Sequence, residues 1–157
     1  MQDTTTIQPR IPHVAALVPD AAKAMYALSR SARGAGLPET TKFLVHLRAS
    51  QINGCSFCAE MHSRELEEAG EPSERIWTVA AWREAPYFSD AERAALELTE
   101  AVTRLSDRPD PVPDEVWEQA AEHYDEPALA ALLIEIAAIN VWNRFNVAIR
   151  TPAGSWG

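Results

Sequence analysis

Apolar residues recur three and four positions apart along almost the whole chain, and no convincing run of alternating apolar and polar residues interrupts them. The pattern predicts an all-α protein. After an extended arm (residues 1–19) that contains Pro9, Pro12 and Pro19, a first helix is expected from about Asp20 to Ala32, ended by Gly34 and Gly36. A second opens at Pro38 and carries Phe43, Leu44, Leu47 and Ile52 to a break at Asn53-Gly54. The next spans Ser56 to Ala69 and closes at Gly70, and a short helix near Ser73 carries Ile76, Trp77, Ala80 and Ala81 before Pro86. Ser89 and Glu92 have the spacing of a capping box for a helix to about Leu105. Three prolines between Ser106 and Pro113 force a loop, followed by a helix from about Asp114 to Tyr124. Asp125 is placed to cap a final, strongly apolar helix from Ala128 to Ile149, with Pro127 in its first turn. The expected fold is a single-domain bundle of six to seven helices over residues 20–150, with a loose tail at residues 151–157.

Composition narrows the function classes. With 157 residues, 46% of them hydrophobic, the chain suits one domain with a substantial core. A net charge of −9, from 23 acidic against 14 basic residues, argues against nucleic acid or an anionic membrane surface as partner. The first residues lack a basic stretch followed by an apolar core, and the longest apolar run, Ala128 to Ile134, stops at Glu135. A cytoplasmic protein that does not enter membranes is expected.

The candidate chemistry lies in one helix. Cys55 and Cys58, the only cysteines, precede His62 at C-x-x-C-x-x-x-H spacing. On a helix starting at Ser56 the three form one stripe, because residues three and four apart share a face. Cys55 stands at the helix mouth and Cys58 in the first turn, where unpaired N–H groups and the positive end of the macrodipole favour a thiolate. His62, one turn on, is placed to take a proton from Cys58 and return it to a leaving group. A structural disulfide, two inert core cysteines, and a zinc site completed by His13, His46 or His123 are the competing readings.

Residues 48–62, RASQINGCSFCAEMH, resemble the core motif of the carboxymuconolactone decarboxylase-like superfamily, in its alkylhydroperoxidase D-like branch. Residues 80–86, 88–96, 99–103 and 139–144 are similar to further stretches of that branch. The resemblance implies an all-helical domain that assembles as a homo-oligomer, a trimer or hexamer, and reduces peroxides with an external dithiol. It assigns Cys58 as the peroxidatic cysteine, Cys55 as the resolving cysteine and His62 as the proton relay, with no cofactor or metal required. The branch commonly has a relay glutamate twelve residues before the first cysteine, where this chain has Phe43. His46, one turn further along, and Glu135, within the apolar last helix, are candidates for the missing relay member. The plainer expectations are a structural His46 and a salt bridge from Glu135 to an arginine such as Arg144. The run Glu65 to Glu68 is expected to be a solvated face. Trp77, Trp82, Trp117 and Trp142 are expected in the core or in subunit contacts, and Asn140, Asn143 and Arg144 as structural hydrogen-bonding groups. Alternative functions are a lyase of the decarboxylase type, plain thiol–disulfide exchange, and a redox or zinc sensor.

Overall fold

A computed structural model describes residues 6–155 as eight α-helices and two short 3-10 turns, with no strand among the described residues. The helices are α1 (Val14–Leu17), α2 (Pro19–Ser31), α3 (Glu39–Asn53), α4 (Ser56–Glu68), α5 (Ser73–Thr78), α6 (Asp90–Thr103), α7 (Asp114–His123) and α8 (Glu126–Ile149). The all-α expectation holds. The additional helix is α1, a single turn inside the arm that the prolines led us to expect as extended. Residues 1–5 of the arm and 156–157 of the tail lie outside the described residues.

Local signals account for the boundaries. The Ser89 hydroxyl accepts from the Glu92 N–H while the Glu92 carboxylate accepts from the Ser89 N–H, a complete capping box at the start of α6. Asp125 caps α8 through the Ala128 N–H, and Pro127 fits its first turn because the missing N–H has no helical partner there anyway. Helix α8 is long and apolar enough to cross a membrane by length and composition. Here its apolar side chains Leu129, Leu132, Ile136 and Ile139 are packed in the core.

Helix α3 is the hub, packed against α4, α6 and α8. On one side Leu44 and Leu47 join Leu66, Val79, Trp82, Phe88 and Leu96. On the other, Val45 meets Leu98, Tyr124, Leu132 and Ile136. Ala49 and Ile139 close a third cluster around the two cysteines, with Phe57 and Trp142 against it. The side chains of Leu44, Leu47, Leu66, Leu96, Leu98, Leu132 and Ile136 are almost fully buried, and truncating any one to alanine costs about 2–5 kcal/mol.

Polar groups fix how α3 and α8 meet. The Asn53 amide donates to both Asn140 Oδ1 and Asn143 Oδ1 at 3.0 Å, and Asn143 Nδ2 donates to Ser50 Oγ. The structural role expected for Asn140 and Asn143 is what their bonds show. The tryptophans divide: Trp82 is buried and Trp142 half-buried, but Trp77 is 75% exposed and Trp117 also faces outward on this chain. Helical spacing places a side chain on a face without saying which face is covered.

Candidate redox site

The break between α3 and α4 builds the mouth of the site. Gly54 ends α3 in the left-handed region at φ 69°, with its N–H on the Gln51 carbonyl and the Cys55 N–H on the Ser50 carbonyl. This double closure reverses the chain within one residue. Cys55 becomes the N-cap of α4, its sulfur accepting from the Cys58 N–H at 3.2 Å. The two cysteines are joined as a disulfide, with Cα atoms 5.3 Å apart, and both are buried.

His62 lies one turn below Cys58 and is 5% exposed. Its Nδ1 faces Glu65 Oε2 at 2.6 Å. Burial, ahead of every other influence, pulls the imidazole from 6.5 down to about 4, against the raising effect of the Glu65 hydrogen bond. Burial acts on the Glu65 carboxyl in the opposite sense, yet the hydrogen bond from His62 outweighs it and holds Glu65 below its ordinary value. A neutral His62 therefore donates from Nδ1 to an ionised Glu65, a tautomer assigned from this hydrogen-bond pattern. The Nε2 lone pair is left buried and without a hydrogen-bond partner among the described residues. A lone pair in that state can accept a proton, but with its value lowered to about 4 it is a weaker base than a free imidazole until a neighbouring negative charge, such as a Cys58 thiolate, raises it.

A second histidine stands against the first. The rings of His46 and His62 meet edge to face with centroids 4.7 Å apart. His46 Nε2 pairs with Glu135 Oε2 at 2.9 Å, and both residues are buried. The structure thus brings Cys55, Cys58, His62 and His46 into one region, with carboxylates on both histidines.

Two expectations are corrected here. Glu135 pairs with His46 rather than with Arg144, because Arg144 turns back along α8 to the Asn140 carbonyl and amide oxygens. Glu65 does not belong to a solvated face: Glu67 and Glu68 are exposed, but Glu65 sits one turn after His62 and reaches its ring. Of the histidines named for the alternative zinc site, His46 lies beside His62, and neither His13 nor His123 belongs to that cluster. Phe43 packs against the Leu44 and Leu47 core cluster, with the Lys42 ammonium 4.7 Å from its ring centroid.

Two features escaped the sequence reading. Asn146 Nδ2 lies 3.8 Å from Cys58 Sγ and also donates to the Trp142 carbonyl. Its signal was the i, i+3 series Asn140, Asn143, Asn146 on a largely apolar helix. The other is a cavity of about 320 Å³ lined by Cys55, Gly54, Ser56, Asn146, Arg150 and Ile7, among others. The arm closes one side of it, because the Arg10 N–H bonds the Ile149 carbonyl at 2.7 Å and its guanidinium the Ala148 carbonyl. Cys55 lines this cavity and Cys58 does not.

The fold is an all-helical bundle with a C-x-x-C pair at a helix mouth and a buried histidine one turn on. The family model of the carboxymuconolactone decarboxylase family matches residues 19–101, just over half the chain, and the chain belongs to that family. It is 37% identical over 139 residues to the uncharacterized protein YdfG of Bacillus subtilis, covering 88% of this chain and 93% of that one. It is 38% identical over 117 residues to the uncharacterized protein YnjA of Escherichia coli, covering 74% of this chain and 63% of that one. Among solved structures, Agrobacterium tumefaciens ATU0492, of unknown function and suggested to be the antioxidant defence protein AhpD, superposes with a TM-score of 0.88 at 34% identity. That match covers 95% of this chain and all of the other.

Proposed function

We propose that the protein is a thiol-dependent peroxidase that cycles through the Cys55–Cys58 disulfide. The observation that carries this reading is the cysteine pair at the mouth of α4 with the unpartnered His62 Nε2 one turn away. In the reduced protein His62 takes the Cys58 proton, and the thiolate attacks one peroxide oxygen. The O–O bond breaks, Cys58 becomes a sulfenic acid, and the proton leaves with the alcohol. The Cys55 thiol then displaces water from that sulfenic acid and forms the disulfide. An external dithiol restores both thiols by exchange and is itself oxidised to a disulfide. The described residues support entry of this reductant at Cys55, because that residue lines the cavity and Cys58 is enclosed.

With Phe43 in place of a carboxylate, the relay is built from Glu65 on His62 and Glu135 on His46. A reducing compartment such as the cytoplasm suits a pair that must be re-reduced at every turn. Self-association, as a trimer or hexamer, is part of the same proposal. The exposed apolar side chains of Leu17, Val18, Tyr26 and Leu28 support it, and light scattering of the purified protein measures it.

The deciding experiment follows consumption of an organic hydroperoxide by reduced protein with a dithiol supply, alongside thiol counts after one turnover. Turnover that vanishes in Cys58→Ser, with both thiols consumed in the parent, is the expected result. Thiols that stay reduced, or turnover that survives loss of Cys58, overturn the reading.

A further inference from the structure

Four ionisable side chains from three helices meet in the core: His46 of α3, His62 and Glu65 of α4, and Glu135 of α8. One donor atom each from His46, His62 and Glu65 lies within 4.8 Å of the others. His46 Nδ1 is buried with no hydrogen-bond partner among the described residues, because Glu135 occupies the other ring nitrogen. A buried polar atom left in this state costs free energy, and an occupant of the site would relieve it.

The chemistry of the donors selects the occupant. Two imidazoles and one carboxylate form a three-ligand set typical of zinc, with a fourth position open. The carboxylate behind His46 fixes the orientation of the ring, as the outer carboxylate does behind a metal-bound histidine. Two carboxylates, Glu65 and Glu135, supply negative charge to balance a divalent cation. Entry is available along Glu65, whose side chain is 36% exposed at the edge of a groove shared with Met61, Arg64, Glu68 and Gly154. Bond lengths near 2.0–2.1 Å set tetrahedral ligand atoms about 3.3 Å apart, so His46 must approach the other two donors by up to roughly 1.5 Å while His62 Nδ1 and Glu65 Oε2, now 2.6 Å apart, separate by less than about 1 Å.

We propose that His46, His62 and Glu65 form a site for one divalent transition-metal ion of the zinc type, with Glu135 as the group that orients His46. His46 binds through Nδ1, and His62 and Glu65 bind through the two atoms that share a proton in the metal-free protein. Metal at His62 Nδ1 moves the ring proton to Nε2. The lone pair that serves as the base in the peroxidase reading is then lost, so metal loading silences the redox site. This last consequence rests on that reading, but the binding site itself does not.

The test uses the full chain with the disulfide intact, so that the cysteines cannot ligate, after removal of metals with a chelator. Zinc chloride is titrated calorimetrically, and cobalt(II) is added in parallel to read the visible spectrum of the bound ion. The expected result is saturation at one equivalent per chain, with the spectrum of a low-coordinate cobalt site. His46→Gln and Glu65→Gln should lose saturable binding, and Glu135→Gln should weaken it by about tenfold or more. Glu67→Gln, on the exposed side of α4, should bind as the parent does. Should His46→Gln fail to fold by circular dichroism, the Glu65→Gln result decides. No saturable binding by the parent, or unchanged binding by Glu65→Gln, overturns the proposal. Because turnover is not measured, failure here leaves the peroxidase reading standing, and failure of that reading leaves the metal site standing.

Discussion

At the scale of single residues, the two cysteines differ in what can reach them, and the two histidines differ in what holds them. Cys58 is fully enclosed, with Asn146 3.8 Å from its sulfur, whereas Cys55 borders the cavity. A disulfide formed with an outside dithiol should therefore accumulate on Cys55. In Cys58→Ser, mass spectrometry should find the oxidised reductant captured as a mixed disulfide, and in Cys55→Ser capture should be markedly slower. Equal capture by both variants would remove the directional assignment. Glu65 holds the tautomer of His62 through Nδ1, and a glutamine there can offer its own N–H to the ring and reverse it. Glu65→Gln should lower hydroperoxide turnover by roughly tenfold or more, the order of effect expected for a disturbed general base, with the helical circular dichroism unchanged. Glu65 was legible only as one of the three glutamates in the run from Glu65 to Glu68. The i, i+3 distance to His62 was present in the sequence, but charge runs of this kind usually face water, and the pairing needed the inward rotation of α4 to be known.

At the scale of elements, the α3–α4 junction sets the geometry of the site. The Asn53-Gly54 break was readable because glycine alone enters the left-handed region at little cost. A Cβ at Gly54 would meet nothing within 4 Å, so Gly54→Ala is penalised only by its backbone at φ 69°. It should destabilise by about 1–2 kcal/mol, measured by chemical denaturation, without a packing defect. A loss above about 3 kcal/mol would mean that the reversal at Cys55 had itself been disturbed. Caps and prolines made the boundaries of α6 and α8 similarly legible, since each acts within four residues of the helix end. The turn of α1 within the proline-rich arm was not, because so short a helix contributes too little periodicity to be seen.

Across the whole molecule, a second buried cluster holds elements together away from the cysteines. Glu100 on α6 accepts from Arg48, Trp82 and Arg83 and pairs with Arg104. Burial by itself raises this carboxyl, but the hydrogen bonds from Arg83, Trp82 and Arg48 outweigh it and bring it from 4.5 to about 2. A depressed folded-state value means that the stabilisation is fully present above about pH 4.5 and is lost as pH falls through about 2. Its upper limit is about 3 kcal/mol, reduced by whatever solvent screens the partly exposed arginines. Urea unfolding at successive pH values should show stability falling across this window, and Glu100→Gln should be less stable at neutral pH with a flatter acid dependence. An equal acid dependence in both proteins would place the acid lability elsewhere.

The sequence by itself determined the all-helical class, nearly every helix boundary and the family, because these rest on short-range periodicity, caps and a contiguous motif. It also placed Cys55, Cys58 and His62 on one stripe, which three- and four-residue spacing suffices to do. The tertiary structure alone decided the pairing of His46 with Glu135, separated by 89 positions in the chain, in preference to Glu135 with Arg144. It alone opened the cavity beside Cys55, where the arm meets the end of α8. Contacts of this kind depend on the rotation of each helix about its axis and on how helices distant in the chain are packed, and local sequence pattern encodes neither.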